Sequence, residues 1–162
     1  QVKPLGSSCL ASLRGGAAQA EIAAMAESVV VGVRVRPFND REKNLKATVC
    51  IDMVEATTII RGGPEVEEKK FTFDESFWSH DGFKDDGSGY MERDGDSKYA
   101  DQRYVFDTFG KRVLDNAWAG FHCCLFAYGQ TGAGKSYSMV GYGANKGIVP
   151  ISCEEIFKRI DG

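Results

Sequence analysis

The sequence predicts an α/β fold in which a mixed sheet is flanked by helices. Three observations carry this prediction. Residues 29–38 alternate with the period of a strand, residues 101–119 recur with the period of a helix, and the apolar stretch 121–128 runs into a glycine-rich turn. A chain of 162 residues has the length of one domain and can bury a core.

The first strand is predicted over Val29–Phe38. Its alternate positions are valines on one face, while Arg34 and Arg36 lie on the other face. Pro37 ends the strand because it cannot donate to a ladder of hydrogen bonds.

Further strands are predicted at Thr48–Val54 and Thr57–Ile60, as parts of a meander. The segment "KKFTFDESF", residues 69–77, then reads as one strand with Phe71 and Phe73 on the same face. The turn signal "RGGP", residues 61–64, ends the meander of the first two strands.

The stretch Ser79–Lys98 differs in composition from the rest of the chain. It holds four glycines and six acidic residues against three basic ones, which is typical of a long solvated surface loop. A calcium site is the alternative, because carboxylates are ligands that Ca²⁺ prefers, although the EF-hand spacing is absent. Its ligands would be Asp81, Asp85, Asp86, Asp94 and Asp96.

A helix is predicted from Asp101, as its cap, to about Ala119, with Gly120 ending it. Gly110 inside this helix indicates close packing or a local weakness. The buried stripe is predicted to comprise Val105, Phe109, Val113 and Ala117, with Leu114 and Trp118 alongside.

The stretch Phe121–Tyr128 is apolar on both faces and predicts a central, covered strand. A last helix is predicted to begin near Pro150, a residue favoured in the first turn. Acidic residues early (Glu154 and Glu155) and basic residues late (Lys158 and Arg159) would suit its dipole.

A phosphate-binding loop is predicted at Gly129–Ser136, "GQTGAGKS", which matches GxxxxGK[ST] in full. Its glycines allow backbone N–H groups to point inward at phosphate oxygens, and a helix beginning at Lys135 would add its positive end. Lys135 would supply a charge for the β- and γ-phosphates and Ser136 a hydroxyl for Mg²⁺. The loop residues are Gly129, Gln130, Thr131, Gly132, Ala133, Gly134, Lys135 and Ser136.

The pairing of "VRVRPFN" with "FAYGQTGAGKSYSM" resembles the kinesin motor domain, over about residues 28–162. The segments "FWSH", "LFAYGQTGAGKSYSM" and "GIVPISCEEIFKRI" are similar to the kinesin-3 subfamily, although the acidic insertion is not typical of it. The resemblance implies a P-loop NTPase fold of the kinesin motor type, incomplete at its C-terminal side. It also implies ATP and Mg²⁺ as cofactors, microtubules as the partner and a cytoplasmic, cytoskeletal location.

The resemblance further implies an adenine pocket. Arg34 and Pro37 would pack against the base with Arg36 close by, and Tyr137 would close the other side. An arginine and an aromatic ring can both stack on a π-face. The family's loop that interrupts the next helix would be "GYGANKG", residues 141–147.

The family's two switch motifs, "NxxSSRSH" and "DLAGSE", are absent from this sequence. The first expectation is therefore the ATP-binding portion of a motor whose complete form hydrolyses MgATP and moves along microtubules. The alternative is a truncated, non-catalytic nucleotide-binding product. A generic P-loop GTPase or kinase is a third reading, and the lack of an NKxD-type motif argues against a GTPase.

Composition argues against three other classes of protein: nucleic-acid binders, membrane-spanning proteins and disulfide-rich domains. The net charge of −3 argues against nucleic-acid binding, and no apolar run reaches the length of a membrane span. Five scattered cysteines predict reduced thiols rather than a disulfide framework. Residues 1–27 are predicted to be a disordered extension or a gene-model artefact, with Met25 as the natural start and a weak transit peptide as the alternative.

Overall fold

The structure is a computed structural model, and it describes residues 29–63 and 67–161. The predicted extension at residues 1–27 therefore lies outside the described residues. The strands are β1 (Gly32–Val35), β2 (Ile51–Val54), β3 (Thr57–Ile60), β4 (Lys69–Thr72), β5 (Glu75–Trp78), β6 (Phe83–Asp85), β7 (Met91–Arg93), β8 (Gly141–Tyr142) and β9 (Asn145–Lys146). The helices are α1 (Asp40–Asn44), α2 (Gln102–Val105), α3 (Lys111–Trp118), α4 (Lys135–Met139) and α5 (Ile148–Asp161), with a π-helical segment (Phe106–Gly110) between α2 and α3.

The first predicted strand forms as β1, which is shorter than its alternating pattern. β1 pairs in parallel with β5, with Gly32 opposite Glu75. A Cβ atom on Gly32 would lie 3.1 Å from ring atoms of both Phe77 and Phe109. The helical run, residues 102–118 (α2, the π-helical segment and α3), therefore packs closely against β1. This contact fixes the strand that carries Arg34 and leads directly to Arg36.

The strands β2, β3 and β4 form an antiparallel meander, which confirms the prediction for the first two. The prediction of a single strand at residues 69–77 is wrong. β4 pairs with β3, whereas β5 pairs with β1. The chain changes sheets at Asp74, whose carboxylate accepts a hydrogen bond from the backbone N–H of Val31 at 2.8 Å.

The insertion at Ser79–Lys98 contains a β-hairpin, which the prediction of a solvated loop missed. β6 and β7 pair in an antiparallel register. The carboxylates of Asp85 and Asp86 accept hydrogen bonds from the backbone N–H groups of residues 87–90 in the turn. Within the described ranges, no group of three or more His, Cys, Asp or Glu side chains is placed to hold a metal ion.

The helical run begins and ends where the sequence predicts. The Asp101 side chain accepts from the backbone N–H of Tyr104 at 2.7 Å, and Gly120 follows the end with a φ of 90°. The predicted stripe is correct only in part, because the π-helical segment adds a residue to its turn and shifts the buried face. Val105 and Leu114 are buried and Phe106 is 1% exposed, whereas Ala117 and Trp118 are exposed.

The prediction of a central strand at Phe121–Tyr128 is wrong for this structure. The stretch has no regular secondary structure, and Phe126 and Tyr128 are 75% and 96% exposed. A strand requires a hydrogen-bonding partner, and none of the described strands lies alongside this stretch. Only Leu125 packs partly against the core.

The last helix, α5, begins two residues before the predicted start at Pro150. Lys158 and Arg159 lie in its last turn, as predicted, but its first turn holds no acidic residue because Glu154 and Glu155 lie mid-helix. Buried side chains from β5, from the segment that precedes the helical run, from the helical run itself and from α5 form the hydrophobic core. Its members are Phe77, Ala100, Val105, Phe106, Leu114, Ile148 and Ile151.

Four cysteines of the described part are free and exposed, namely Cys50, Cys123, Cys124 and Cys153. Cys9 lies outside the described residues. Among the described helices, none has the length and apolarity that crossing a bilayer requires.

Candidate nucleotide-binding site

The glycine-rich segment Gly129–Ser136 leaves the irregular apolar stretch and enters α4 at Lys135. Gly129, Gly132 and Gly134 have φ angles of 148°, 80° and 94°. Side chains disfavour these backbone angles, so the glycines are required by the shape of the loop. The N–H of Ala133 bonds to the carbonyl of Gln130 at 3.1 Å and closes a tight turn within it.

The lysine of the motif lies back over this loop. Lys135 Nζ donates to the carbonyl oxygens of Gly129 at 2.7 Å and Gln130 at 2.9 Å. Ser136 follows at the start of α4 and is exposed. The loop therefore presents an ammonium group and a hydroxyl group on adjacent residues, next to backbone that only glycine adopts readily.

Arg36 connects the end of β1 to the loop. Its Nε donates to the carbonyl oxygen of Gly132 at 2.7 Å. Its two terminal nitrogens form a bidentate pair with the Glu42 carboxylate, at 2.7 and 2.8 Å, and Nη1 also donates to the Pro37 carbonyl. The hydrogen bond with Arg36 is the main reason that the pKa of Glu42 falls to about 2.

Glu42 is a site residue that the sequence reasoning missed. It lies in α1, where the Asn39 side chain accepts from the N–H of Glu42 at 2.9 Å and Glu42 accepts from the N–H of Asn39 at 2.8 Å. This reciprocal pair is a capping box. The spacing of Asn39 and Glu42 is the signal in the sequence that could have located it.

Arg34 is largely buried, and its guanidinium is surrounded by acceptors. Nη1 donates to Gln102 Oε1 at 2.6 Å and to Ser138 Oγ at 3.1 Å. Nε donates to Ser79 Oγ at 2.8 Å and Nη2 to the Ala100 carbonyl at 3.1 Å. Burial lowers the pKa of Arg34 from its usual value, and these hydrogen bonds compensate the buried charge.

Arg34 also lies over the ring of Tyr137, with its guanidinium carbon 5.3 Å from the ring centroid. Tyr137 is half-buried, and burial raises the pKa of its hydroxyl. The Tyr142 ring is 6.2 Å away on the neighbouring turn, while Pro37 is exposed. The structure therefore brings Arg34 and Tyr137 together and places Arg36 at the loop, while their roles toward a base stay predictions.

Gln102, which directly follows the helix cap, is the second residue that the sequence reasoning missed. Its side chain is only 2% exposed. Its register, three residues before the buried Val105, puts a polar group on the core-facing side of the helix. A buried amide requires hydrogen-bonding partners. A glutamine at a core-facing position of the predicted helix was therefore the signal available in the sequence.

The sequence profile of the kinesin motor domain matches residues 34–162. Kinesin-like protein KIF28 of Rattus norvegicus is 52% identical over 137 residues, which cover 83% of this chain and 13% of that relative. Kinesin-like protein KIF1A of the same organism is 42% identical over 138 residues, which cover 83% of this chain and 7% of the relative. These relatives include kinesin-3 members, and the chain spans only a small part of their length.

Solved structures give the same assignment. A structure of KIF14 residues 391–755 with ADP, in complex with a microtubule, aligns with a TM-score of 0.70 at 38% identity. A KIF14 dimer with AMP-PNP, in complex with a microtubule, aligns with a TM-score of 0.71 at 38% identity. Each alignment covers 83% of this chain and 34% of the KIF14 chain, and the fold prediction is thereby confirmed.

Proposed function

Because the chain belongs to the kinesin motor domain family, we propose that it forms the ATP-binding portion of a microtubule motor. In a protein of the length of its relatives, hydrolysis of MgATP would be coupled to movement along microtubules, with organelles or vesicles as cargo. The motor would work in the cytoplasm on the microtubule cytoskeleton. Support comes from the solved KIF14 neighbours, which are structures with ADP or AMP-PNP in complex with a microtubule.

The geometry of Gly129–Ser136 is the single observation that carries the nucleotide assignment. Positive φ angles at three glycines leave the backbone of the loop without side chains, so phosphate oxygens can approach its N–H groups closely. Lys135 would exchange its two carbonyl partners for phosphate oxygens, which are stronger acceptors for an ammonium group.

The Mg²⁺ ion fits the donors that the loop offers. Ser136 presents one exposed hydroxyl oxygen, and Mg²⁺ keeps waters and takes phosphate oxygens as its remaining ligands. When bound, the ion neutralises the charge that develops on the phosphoryl oxygens. The described residues hold no preformed cage of acidic or His ligands, so Ser136 is the protein ligand that we assign.

The base side of the site is assigned to Arg34, Arg36, Pro37 and Tyr137. Arg36 holds the loop through its bond to the Gly132 carbonyl and is itself held by Glu42. Arg34 and Tyr137 form the stacked pair from which a base-binding surface is built. We infer that Pro37, which is exposed at the end of β1, completes this surface.

Titration of the full chain with a fluorescent ATP analogue in the presence of Mg²⁺ tests this proposal. Lys135→Ala should weaken binding about 10- to 100-fold, because a charge-assisted hydrogen bond contributes about 1.5–3 kcal/mol. Lys111→Ala is the matched control, because Lys111 is an exposed lysine on α3 that pairs with Asp115. The affinity of the Lys111→Ala variant for the ATP analogue should equal that of the wild type.

Absence of binding by the folded wild-type chain, or equal affinity of the two lysine variants, would contradict the nucleotide assignment. The motor assignment needs a separate measurement, namely phosphate release by the complete protein with and without microtubules. Stimulation of release by microtubules supports the motor function. A rate that does not respond to microtubules counts against it.

A further inference from the structure

The side chain of Gln102 connects three segments that are distant in sequence. Its Oε1 accepts from Arg34 Nη1 at 2.6 Å. Its Nε2 donates to the Tyr137 carbonyl at 2.6 Å and to the Asn145 carbonyl at 3.2 Å. One amide therefore links β1, α4 and β9.

Gln102 is among the most buried side chains of the described residues, at 2% exposure. Inside a protein, a polar group that loses its partner is strongly destabilising, so a fully bonded amide has little freedom to rotate. Val105 and Phe106, which follow it on the same helical run, belong to the hydrophobic core. The Gln102 amide therefore holds the groups to which it is hydrogen-bonded in a fixed position.

The groups that it contacts belong to the base side of the proposed site. Gln102 holds the guanidinium of Arg34, and it holds the backbone of Tyr137, whose ring that guanidinium covers. Ser138 Oγ accepts from the same Arg34 nitrogen, so the arginine is fixed from two sides. Gln102 is therefore the side chain that ties the guanidinium to the backbone carrying the ring, in addition to the other hydrogen bonds of Arg34.

The phosphate side of the site has no direct contact with Gln102. The bonds of Lys135 run to Gly129 and Gln130, and the loop carbonyl of Gly132 is bonded to Arg36. A change at Gln102 should therefore act on recognition of the base and leave recognition of the triphosphate nearly unchanged.

We propose that Gln102 is a positioning residue that sets the Arg34–Tyr137 pair for binding of a purine base. This inference rests on the proposed nucleotide-binding function and adds to it the residue that fixes the base side. Gln102 acts through its neighbours and is not itself assigned a contact with the nucleotide.

Binding of two ligands to the full chain tests the proposal, both with Mg²⁺: ATP and inorganic tripolyphosphate. Gln102→Met keeps the length of the side chain and removes all three hydrogen bonds. We expect ATP affinity to fall about tenfold or more, because a displaced Arg34–Tyr137 pair would lose contact with the base equivalent to about one hydrogen bond, while tripolyphosphate affinity stays within about threefold. A purely structural role would lower both affinities together.

Two further variants keep the test decisive. Gln102→Glu keeps an acceptor for Arg34 but cannot donate to the two carbonyls. We expect this variant to fold, and its ATP affinity should lie between those of the wild type and Q102M. Thr58→Val is the matched control, because Thr58 is a buried polar residue, 5% exposed, in the antiparallel meander. It should lower thermal stability without changing the ratio of the two affinities.

The outcomes separate the two proposals. If the wild type binds neither ligand, the nucleotide assignment itself fails. If the wild type binds both and Q102M lowers both affinities equally, or neither, the positioning role of Gln102 is refuted. A selective loss of ATP affinity in Q102M, with T58V unchanged in ratio, supports it.

Discussion

Gly110 occupies a crowded position in the helical run, where the run faces Ile148 of α5. A Cβ atom built there would lie 2.8 Å from Cδ2 of Phe106 and 2.9 Å from Cγ2 of Ile148. Phe106 is 1% exposed and Ile148 is 7% exposed, so neither side chain can move into solvent. Gly110→Ala is therefore a direct test of how tightly the core under β1 is packed.

Two effects of opposite sign decide the result. Gly110 has helical backbone angles, with φ −68° and ψ −39°, so alanine would gain about 0.5–1 kcal/mol of helix propensity. Overpacking a filled core costs about 1–3 kcal/mol. Since both neighbours must shift by several tenths of an ångström, we expect overpacking to dominate, with a net loss of about 1–2 kcal/mol.

Urea denaturation of the wild type and G110A measures the free energy of unfolding, and thermal melts should show a decrease of about 2–4 °C per kcal/mol. A double-mutant cycle with Phe106→Leu provides the control. The smaller side chain should relieve the contact, so G110A should destabilise less in that background, with a coupling of about 1 kcal/mol. A stabilising G110A, or strict additivity with F106L, would refute the close-packing argument.

Two further predictions concern the surroundings of the site. The pKa of Glu42 is lowered to about 2 from its usual 4.5 by its bond with Arg36, so the stability it contributes is full above about pH 4.5 and is lost as the pH falls through about 2. The difference in melting temperature between the wild type and Glu42→Gln should therefore shrink over that window, and a constant difference would contradict the pairing. Asn145 holds the β6–β7 hairpin, since its side chain accepts from the Met91 N–H at 2.8 Å and donates to the Gly89 carbonyl at 2.7 Å. Asn145→Ala should raise hydrogen–deuterium exchange at residues 83–93 about tenfold or more while β2 and β3 keep their rates, and unchanged exchange in the hairpin would disprove this anchoring.

Local signals in the sequence were sufficient for much of the fold. The cap at Asp101, the end at Gly120 and the start of α4 at Lys135 each depend on residues within one turn of the feature. The antiparallel pairing of β2 with β3 is likewise local, because a tight turn joins them. Features of this kind are encoded in short windows, and the structure confirms them.

The predictions that were wrong share a cause: each concerns a feature that depends on more than the local sequence pattern. The apolar pattern at Phe121–Tyr128 predicts burial of both faces of a strand. Whether the strand forms, however, depends on neighbouring strands from other parts of the chain that can accept and donate its hydrogen bonds. Composition suggested solvation for Ser79–Lys98, yet the hairpin there is anchored by Asn145, more than fifty residues away from Met91. The π-helical segment has an additional residue in its turn, so the buried face of the helical run is rotated from the position that the regular α-helical period predicts.

The same distinction separates the two halves of the candidate site. The proposed recognition of the triphosphate would rest on backbone angles and two side chains within eight consecutive residues, Gly129–Ser136, so a motif can encode it. The base side joins Arg34 to Gln102 across 68 positions and Gln102 to Tyr137 across 35 positions. No short pattern can specify such contacts, because they exist only after the helical run has packed on β1. If the proposed site binds a nucleotide as we infer, the choice of base would depend on the packing of the core as well as on the residues that face the nucleotide. Substitutions in the helical run would then alter that choice while the P-loop sequence stays intact.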